Sequence, residues 1–477
     1  MKTVERETSV IRAPHDGSEV GVCTLASPEE VRSALDAAVA AAGACRELPA
    51  YERAASLRKI GDGIAAQRDA MARTLALEAG KPISQARVEI DRATAVFRDA
   101  GEEATRIGGD VLPTDAVPAG KGRIALTRRF PLSPISAITP FNFPVLLAAH
   151  KLAPALACGA TIVVKPPPQD PLAASMMMEI VRQSGYPPGG AHMVPCHVAV
   201  AQILIEDPRV RLITFTGSAA AGWAIRAKAG TKRVALELGG NAGVIIEPDA
   251  DLAWAAARCA LGGFTYAGQS CISTQRIYVH QDVYRPFLDA FLPKVAGLVV
   301  GDVLDEKTDV GPLISQDAAL RVERWIGEAL TGGAEVALGG TRRGAFIDPT
   351  VLVKTSPAMK VNCEEVFAPL VTVTPYQRLD DATAAVNQSP WGLQAGVFTR
   401  DVRTLFRLHA ELDVGAVNGN DMPGYRVDRL PYGGAKASGL GREGVRYAIE
   451  EMTELRMLTI KLDCRRSRQR LKPCTRT

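Results

Sequence analysis

The stretch from residue 140 to residue 239 restricts the fold most strongly, because helical and extended patterns alternate along it. The patterns are, in order, a helix over 145–158, an apolar strand over 160–164, a helix over about 171–184 and a strand over 212–215. Alternation of this kind is typical of a parallel sheet that is covered by helices. The sequence therefore predicts an α/β fold with a doubly wound sheet, in which ligands bind at the carboxyl ends of the strands.

The chain on either side of this stretch fits a protein of two or three domains. Its 477 residues, of which 47% are apolar, provide a sizeable core. Helical patterns run from about residue 27 to residue 106, and we expect them to form scaffold without chemistry. A second α/β pattern begins after residue 240. Because no low-complexity linker separates the two halves, we expect the active site in the cleft between them.

One cysteine, Cys271, lies among small and polar residues in the stretch 264–273. A cysteine is a good nucleophile only as the thiolate, which a helix end or neighbouring hydrogen-bond donors must favour. A cysteine at an arbitrary position is more often a small buried apolar residue. The catalytic interpretation therefore depends on companion residues elsewhere in the chain.

Three companions favour that interpretation. Glu237 is flanked by apolar residues and a glycine pair, and a carboxylate in such surroundings can act as a general base. Asn142 stands in a loop that two prolines and two phenylalanines restrict, so its amide can serve as an oxyanion donor. Glu365 belongs to a pair of carboxylates that precedes Phe367. Each of these signals is weak by itself.

In this order and at this spacing, the motifs resemble those of the aldehyde dehydrogenase superfamily, from about residue 15 to residue 461. Further matches are FTGS at 215–218, NQSPWGL at 387–393 and PYGGAKASG at 431–439. The branch of closest resemblance includes lactaldehyde, phosphonoformaldehyde and non-phosphorylating glyceraldehyde-3-phosphate dehydrogenases. The resemblance implies an aldehyde dehydrogenase-like fold, with a doubly wound cofactor domain, an α/β catalytic domain and a β oligomerisation arm.

The resemblance also implies how the chain is divided. The cofactor domain would comprise residues 1–121 and 139–239, the catalytic domain 240–438, the arm 122–138 and 439–462, and a basic tail 463–477. The tail lacks periodicity and is expected to be disordered. The arm carries alternating, β-branched runs that would leave a sheet edge unpaired in a monomer, which predicts a homodimer or a homotetramer.

The catalytic roles follow from the resemblance, residue by residue. Cys271 would attack the aldehyde carbon, while the Asn142 side chain and the Cys271 backbone N–H hold the oxyanion. Glu237 would activate the water that cleaves the thioester, and Lys151 matches a lysine that helps to relay protons from that glutamate. The product would be a carboxylate.

NAD or NADP is the implied cofactor. The residues that would contact it are Ile138, Thr139, Pro140, Phe141, Lys165, Gly217, Ser218, Gly239, Glu365 and Phe367. The loop after Gly217 follows a strand and opens a helix, so its backbone N–H groups can face the pyrophosphate. Many NAD-preferring members carry a glutamate where this chain has Pro168, and its absence permits NADP. The string GLGREG at 439–444 matches a dinucleotide fingerprint, but it follows a glycine-rich loop and is interpreted as a turn.

The predicted substrate is a short anionic or hydroxylated aldehyde, such as phosphonoformaldehyde, lactaldehyde or a semialdehyde acid. His150 lies eight residues after Asn142, where some semialdehyde-acid enzymes carry a substrate-binding arginine. Arg426 and Arg429 stand just before the region that lines the substrate mouth in relatives, and arginines facing a cleft bind carboxylates and phosphates. The alternative is that both arginines are solvated or bridge subunits, which is the commoner case for a surface arginine.

Two other functions compete with this reading. A CoA-acylating aldehyde dehydrogenase would release the thioester to CoA, but such enzymes characteristically lack the glutamate found here at Glu237. A structural protein could retain the fold without turnover, although the cysteine, glutamate and asparagine are all present.

Composition limits the partners. The formal charge is +4, but residues 461–477 carry seven basic side chains and one acidic side chain, so the remaining chain is close to neutral. Neither nucleic acid nor a membrane is therefore an expected partner. The N-terminus has no signal-peptide pattern, and no apolar run reaches the ~18 residues of a membrane helix. The nine cysteines follow no metal-binding or CxxC spacing, which indicates reduced thiols, a cytoplasmic protein and no metal site.

Overall fold

The computed structural model describes residues 6–462, so the predicted basic tail over 463–477 lies outside the described residues. Six strands form the first sheet, in the spatial order Gly439–Leu440, Arg233–Glu237, Leu212–Thr216, Ile135–Ile138, Ile162–Lys165 and Ala191–Met193. All neighbouring strands are parallel except the two-residue strand, which is antiparallel. Successive residues of Ile162–Lys165 enter different core clusters, so apolar side chains cover both faces of this sheet.

The helices of this half follow the patterns that the sequence predicted. They are Pro28–Glu47, Ala50–Ala66, Arg68–Ala79, Ile83–Glu103, Pro144–Cys158, Leu172–Arg182, Val198–Glu206 and Ala219–Lys228. The first begins with the Ser27 side chain and the Glu30 side chain in a reciprocal capping box, which satisfies two backbone N–H groups. Among residues 6–462, no helix is long and apolar enough to span a membrane.

The central strand of this sheet, Ile135–Ile138, defines the crevice for a ligand. Its neighbours are Ile162–Lys165 on one side and Leu212–Thr216 on the other, so the strand order reverses here. Open parallel sheets bind ligands outside the carboxyl ends of the strands at such a switch point. The loops that leave two of these strands begin at Thr139 and Gly217, and the sequence predicted the second of them.

The second sheet has seven strands, in the order Glu335–Leu338, Thr350–Val353, Leu370–Tyr376, Arg276–His280, Gly243–Ile246, Gln394–Phe398 and Ala416–Gly419. Only the first pairs antiparallel with its neighbour. The accompanying helices are Leu252–Phe264, Gln281–Ala296, Gln316–Thr331, Lys360–Cys363, Leu379–Asn387 and Val402–Glu411. Short two-stranded ribbons complete the fold, namely Thr8–Arg12 with Glu19–Thr24, Arg342–Arg343 with Phe346–Ile347, and Trp391–Gly392 with Ala435–Lys436.

The connection between the sheets places opposite strand ends against each other. Glu237 is the last residue of a strand in the first sheet, and Gly243 is the first residue of a strand in the second. Cys271 and Glu365 both precede strands of the second sheet, which begin at Arg276 and Leu370. The carboxyl edge of one sheet therefore faces the amino edge of the other, and the site residues lie between them.

A three-stranded sheet forms the arm. Thr453–Lys461 pairs antiparallel with Arg123–Pro131 over nine residues, and Val111–Leu112 pairs with the other edge of the same strand. The C-terminal run therefore lies beside the strand of the predicted arm, as the resemblance implies. Several apolar side chains on the C-terminal strand are more than half exposed, namely Leu455, Met457 and Leu458.

Two segments that the sequence assigned to the arm lie elsewhere. Ile135–Ile138 is fully buried in the first sheet, and Gly439–Leu440 pairs with Arg233–Glu237 in that sheet. The helix Val445–Glu451 separates this short strand from the arm and packs on Pro144–Cys158. The predicted boundaries 122–138 and 439–462 are therefore too wide, because Ile135–Ile138 has parallel partners on both sides in the larger sheet and Gly439–Leu440 pairs along an edge of that sheet.

Candidate active site

The loop that carries Cys271 is held in an unusual backbone conformation. Three residues before it have left-handed φ angles, namely Tyr266 (49°), Ala267 (51°) and Gly268 (69°). This region costs about 1–2 kcal/mol for a residue with a Cβ atom, so tertiary contacts must hold it. A Cβ atom on Gly268 would lie 2.1 Å from the Ala368 carbonyl oxygen. The backbone of the neighbouring loop thus packs directly against the turn that presents the cysteine.

Cys271 lies between two cavities, one of about 470 Å³ and one of about 280 Å³, and lines both. Its Sγ atom is 2.9 Å from the hydroxyl oxygen of Tyr432. Burial raises the pKa of the thiol to about 12, and the hydrogen bond with Tyr432 acts in the opposite direction. The thiol is therefore protonated at neutral pH and needs nearby hydrogen-bond donors in order to react.

Asn142 lines the same two cavities as the cysteine. Its side-chain amide donates to the Gln269 carbonyl oxygen at 3.1 Å, two residues before Cys271. The backbone carbonyl oxygen of Asn142 accepts from Lys81 Nζ at 2.7 Å, and Lys81 is buried in an ion pair with Glu89. One contact thus holds the main chain of Asn142 and another holds its side-chain amide, and a rigidly held amide can serve as an oxyanion donor.

Glu89 also shows that the N-terminal helices do more than form scaffold. Its carboxylate accepts from the backbone N–H groups of Val145 and Leu146 at 3.0 and 3.1 Å, at the start of the helix that follows Asn142. Arg92, from the same helix as Glu89, lines the larger cavity. This helix, which the sequence assigned to scaffold, therefore also holds the start of the helix after Asn142 and contributes to the wall of the cavity at Cys271.

Glu237 lines the smaller cavity together with Cys271. Burial raises the pKa of its carboxyl well above the ordinary value, and the negative charge of Glu443 raises it further. Among the described residues, its Oε2 atom has no hydrogen-bond partner. A carboxylate of raised basicity with a free oxygen at the cavity wall has the properties of a general base.

Lys151 lies behind Glu237 and contacts a different carboxylate. Its ammonium group donates to Glu443 and to Thr214, both at 3.1 Å. Burial would raise the pKa of Glu443, but the charges of Lys151 and Arg426 and the hydrogen bond from Lys151 outweigh burial and lower that pKa to about 2. Glu443 is therefore ionised, and it holds the lysine close to Glu237.

A third cavity, of about 410 Å³, occupies the crevice of the first sheet. The lining residues include seven of those predicted to bind the cofactor: Ile138, Thr139, Pro140, Phe141, Lys165, Gly217 and Ser218. Ser218 caps the helix Ala219–Lys228 by accepting from the Ala221 backbone N–H. Gly217 and Ser218 also line the smaller cavity at Cys271, so the two spaces adjoin.

The remaining predicted cofactor residues surround the smaller cavity. Glu365 accepts from the Gly240 backbone N–H at 2.9 Å, and burial raises the pKa of its carboxyl to about 7. A Cβ atom on Gly239 would lie 2.3 Å from the Glu365 carboxylate, so only glycine allows this approach. Phe367 packs edge-to-face on Phe141 with ring centroids 5.8 Å apart. Together with the residues of the third cavity, these residues form a continuous cradle that ends at Cys271.

The larger cavity at Cys271 has arginine at its wall. Arg426 lines it, is only 8% exposed, and lies over the Tyr432 ring with the guanidinium carbon 3.7 Å from the centroid. Arg92 also lines it and binds Asp428 through two nitrogens at 2.7 and 2.9 Å. Two guanidinium groups thus reach this cavity from distant parts of the chain.

The other two predicted substrate residues do not reach the larger cavity. His150 is buried behind it, where its Nε2 atom contacts Asp428 at 3.0 Å and Arg426 at 3.1 Å. Burial lowers the pKa of the imidazole, so His150 is neutral. Arg429 is half exposed and pairs with Asp99 and Glu102 on the surface, which is the alternative that the sequence left open.

Four residues of the site were not identified from the sequence: Arg92, Asp428, Tyr432 and Glu443. Asp428 lies between the two predicted arginines, and Tyr432 belongs to the quoted PYGGAKASG motif, so both were adjacent to recognised signals. Glu443 belongs to the GLGREG string that was interpreted as a turn. Arg92 had no local signal, because it is one of several charged residues on a helical pattern.

Comparisons with known proteins agree with this geometry. The aldehyde dehydrogenase family matches residues 2–458. A 3-sulfolactaldehyde dehydrogenase from Priestia aryabhattai is 43% identical over 413 residues, which cover 86% of this chain and 87% of the relative.

Two solved structures are also similar. Aldehyde dehydrogenase 21 from Physcomitrella patens, in complex with the reaction product succinate, has a TM-score of 0.94 at 38% identity and covers 97% of this chain and 96% of its own. The glyceraldehyde-3-phosphate dehydrogenase GapN from Methanocaldococcus jannaschii, complexed with NADP, has a TM-score of 0.91 at 36% identity, with coverages of 96% and 100%.

These matches place the molecule among the oxidoreductases that act on aldehydes. More narrowly, the chain belongs to the aldehyde dehydrogenase family, as its motifs predicted. The predicted α/β fold of that family is confirmed as well.

Proposed function

We propose that this enzyme oxidises a short anionic aldehyde to its carboxylic acid, with NAD or NADP as hydride acceptor. The observation that carries the proposal is the position of Cys271 between two cavities. One holds Glu237 and adjoins the cradle for a dinucleotide, and the other has Arg92 and Arg426 at its wall. The related proteins act on sulfolactaldehyde and glyceraldehyde 3-phosphate or release succinate, and all three compounds are anionic.

Each catalytic side chain then has a defined task. Cys271 Sγ attacks the aldehyde carbon, while the Asn142 amide and the Cys271 backbone N–H hold the oxygen as it becomes negative. The nicotinamide, when bound, supplies the hydride acceptor. Glu237 removes a proton from the water that cleaves the resulting Cys271 thioester. Lys151 and Glu443 form an ion pair beside Glu237. Glu365 and Phe367 orient the cofactor end from the cavity wall.

The charge balance around Arg426 supports an anionic substrate. The network contains three cationic side chains and two carboxylates of lowered pKa, namely Arg92, Lys151, Arg426, Asp428 and Glu443. Burial raises the pKa of Glu237, which disfavours its ionised form. The three cations of this network outnumber its two carboxylates of lowered pKa by one, and an anion in the larger cavity would balance that charge.

The arginine prediction can be tested with a matched pair of variants. In Arg426→Ala, we expect kcat/KM for an anionic aldehyde such as sulfolactaldehyde to fall at least about tenfold more than kcat/KM for propanal, since charged hydrogen bonds contribute about 1.5–3 kcal/mol. Arg429→Ala is the control, because its side chain lies on the surface with Asp99 and Glu102. Equal losses for both aldehydes in Arg426→Ala would contradict an anion-binding role.

The cofactor prediction concerns Pro168. Two lysines, Lys165 and Lys228, line the third cavity, in the crevice of the first sheet, and none of the described residues that line this cavity is acidic. NADP should therefore be accepted alongside NAD. Pro168→Glu should lower kcat/KM for NADP at least about tenfold relative to NAD, because a carboxylate repels the 2′-phosphate. Pro168→Gln is the control, because glutamine has the shape of glutamate without its charge. Equal effects on both cofactors in Pro168→Glu would contradict the prediction.

The oligomeric state belongs to the same proposal. The arm exposes apolar residues on Thr453–Lys461, and the strand Ala416–Gly419 forms an edge of the second sheet. An exposed apolar strand and an open edge favour pairing with another chain. We therefore expect a homodimer or a homotetramer, as the resemblance implies.

A further inference from the structure

Tyr432 places a polar group at hydrogen-bond distance from the reactive sulfur. It is 3% exposed, and its hydroxyl oxygen is 2.9 Å from Cys271 Sγ. Two backbone hydrogen bonds with Glu443, at 3.0 and 2.7 Å, fix its main chain. Its ring packs with Ile272 and Leu393. The hydroxyl group is therefore held at the sulfur by main-chain and side-chain contacts, and its position does not depend on a mobile segment.

The surroundings of the phenol make it a hydrogen-bond donor. Burial raises the pKa of Tyr432 well above its usual value, so the O–H group keeps its proton throughout the neutral range. The Arg426 guanidinium carbon lies 3.7 Å from the ring centroid. A cation over an aromatic face is attracted to the ring electrons, and it favours negative charge at the phenol oxygen, which strengthens the O–H donor.

The sulfur needs such a donor. The ionisable groups that face it are Tyr432, Glu365, Arg426 and Glu237. Burial and the two carboxylates raise the pKa of the thiol, while the tyrosine and the arginine lower it. Asn142 and the Cys271 backbone N–H serve the aldehyde oxygen in the proposed mechanism. The phenol is thus the one side-chain donor in hydrogen-bond contact with the sulfur among the described residues.

We infer that Tyr432 is a catalytic residue, whose hydroxyl donates a hydrogen bond to the Cys271 thiolate and thereby favours its formation. The inference rests on the proposed function in taking Cys271 as the nucleophile. When the thiol ionises, its proton leaves to water in the open cavity, the S–H bond breaks, and the sulfur lone pair accepts the phenol O–H. The Arg426 guanidinium lies over the Tyr432 ring and strengthens its hydroxyl as a donor. Arg426 would therefore act on the nucleophile as well as bind the anionic substrate.

The test is Tyr432→Phe, which keeps the ring and its contact with Arg426 and removes only the hydroxyl group. The rate of Cys271 alkylation by iodoacetamide is measured from pH 6 to pH 11, with the modified peptide identified by mass spectrometry. The profile should move up by about one pH unit or more, and the rate at pH 8 should fall about tenfold. Tyr425→Phe, in a residue that is 47% exposed on the same loop, should leave the profile unchanged.

An unchanged alkylation profile in Tyr432→Phe would overturn the inference. A purely structural role would change the melting temperature or the affinity for NADP without moving the profile, and that result also counts against it. The measurement needs no aldehyde. A shifted profile in a protein that oxidises no aldehyde would disprove the proposed function and with it the catalytic role, although the hydrogen bond to the thiolate would be established. Aldehyde oxidation together with an unshifted profile would overturn the inference and leave the proposed function standing.

Discussion

Replacement of Cys271 by alanine should abolish aldehyde oxidation. We expect kcat to fall by at least about 10⁴-fold, since loss of a nucleophile removes the covalent intermediate and not merely a contact. Neither water nor another thiol of the described residues can take its place, because the other described cysteines do not line the two cavities that meet at this position. The measurement is the initial rate of cofactor reduction with a saturating aldehyde.

The control for this variant is Cys23→Ala, which removes a buried thiol in the N-terminal ribbon, away from all three cavities. That variant should keep the wild-type rate. Cys271→Ala should also keep its affinity for NADP, measured by quenching of protein fluorescence, because the cradle consists of other residues. Residual oxidation within about tenfold of wild type would show that the cysteine is not the nucleophile.

Replacement of Glu237 by glutamine should separate the two halves of the reaction. Acylation of Cys271 does not need the carboxylate, so a burst of reduced cofactor close to one equivalent per subunit should appear first. Steady turnover should then fall by about 10²–10⁴-fold, because the amide cannot take a proton from water. Rapid-mixing absorbance measurements at 340 nm, with wild type in parallel, give both the burst and the steady rate.

The pH dependence provides an independent check on Glu237. Burial and the charge of Glu443 raise the pKa of this carboxyl, so the fraction of enzyme with an ionised base grows as the pH rises. Steady turnover limited by hydrolysis should therefore increase with pH in wild type, and this limb should disappear in Glu237→Gln. Wild-type turnover in the variant, without a burst, would assign the base to another group.

The same experiment distinguishes the alternatives that the sequence left open. A CoA-acylating enzyme would need CoA for steady turnover in wild type, and Glu237→Gln would then have little effect. The position of Glu237 in the cavity of Cys271 argues against that alternative. A structural protein would reduce neither cofactor with any aldehyde.

The family and the main catalytic candidates could be predicted from the sequence because their signals are local. Asn142 and Glu237 stand directly beside proline or glycine motifs, and Cys271 lies in a short loop of small residues. Loops of this kind tolerate few other residues, as the Gly268 contact with the Ala368 carbonyl shows. The alternation of helices and strands is equally local, since each pattern depends on the period of its own segment.

Sheet membership could not be predicted in the same way. The runs over 123–130 and 135–138 both contain β-branched residues, and the sequence assigned both to the arm. The structure divides them, because Ile135–Ile138 finds parallel partners on both sides and becomes fully buried, while Arg123–Pro131 pairs with the C-terminal strand. Which partners a strand finds is a non-local property, and no periodicity within the strand records it.

The surroundings of the cysteine were decided by the tertiary structure alone. Arg92 and Asp428 are 336 residues apart in the chain and form an ion pair, and Tyr432 reaches Cys271 across 161 residues. Arg426 and Arg429 have similar sequence contexts, yet one is buried at the cavity and the other lies on the surface. The sequence determined which side chains are chemically able to act, and packing of the two sheets decided which of them meet, because burial and charge pairing depend on contacts between distant segments.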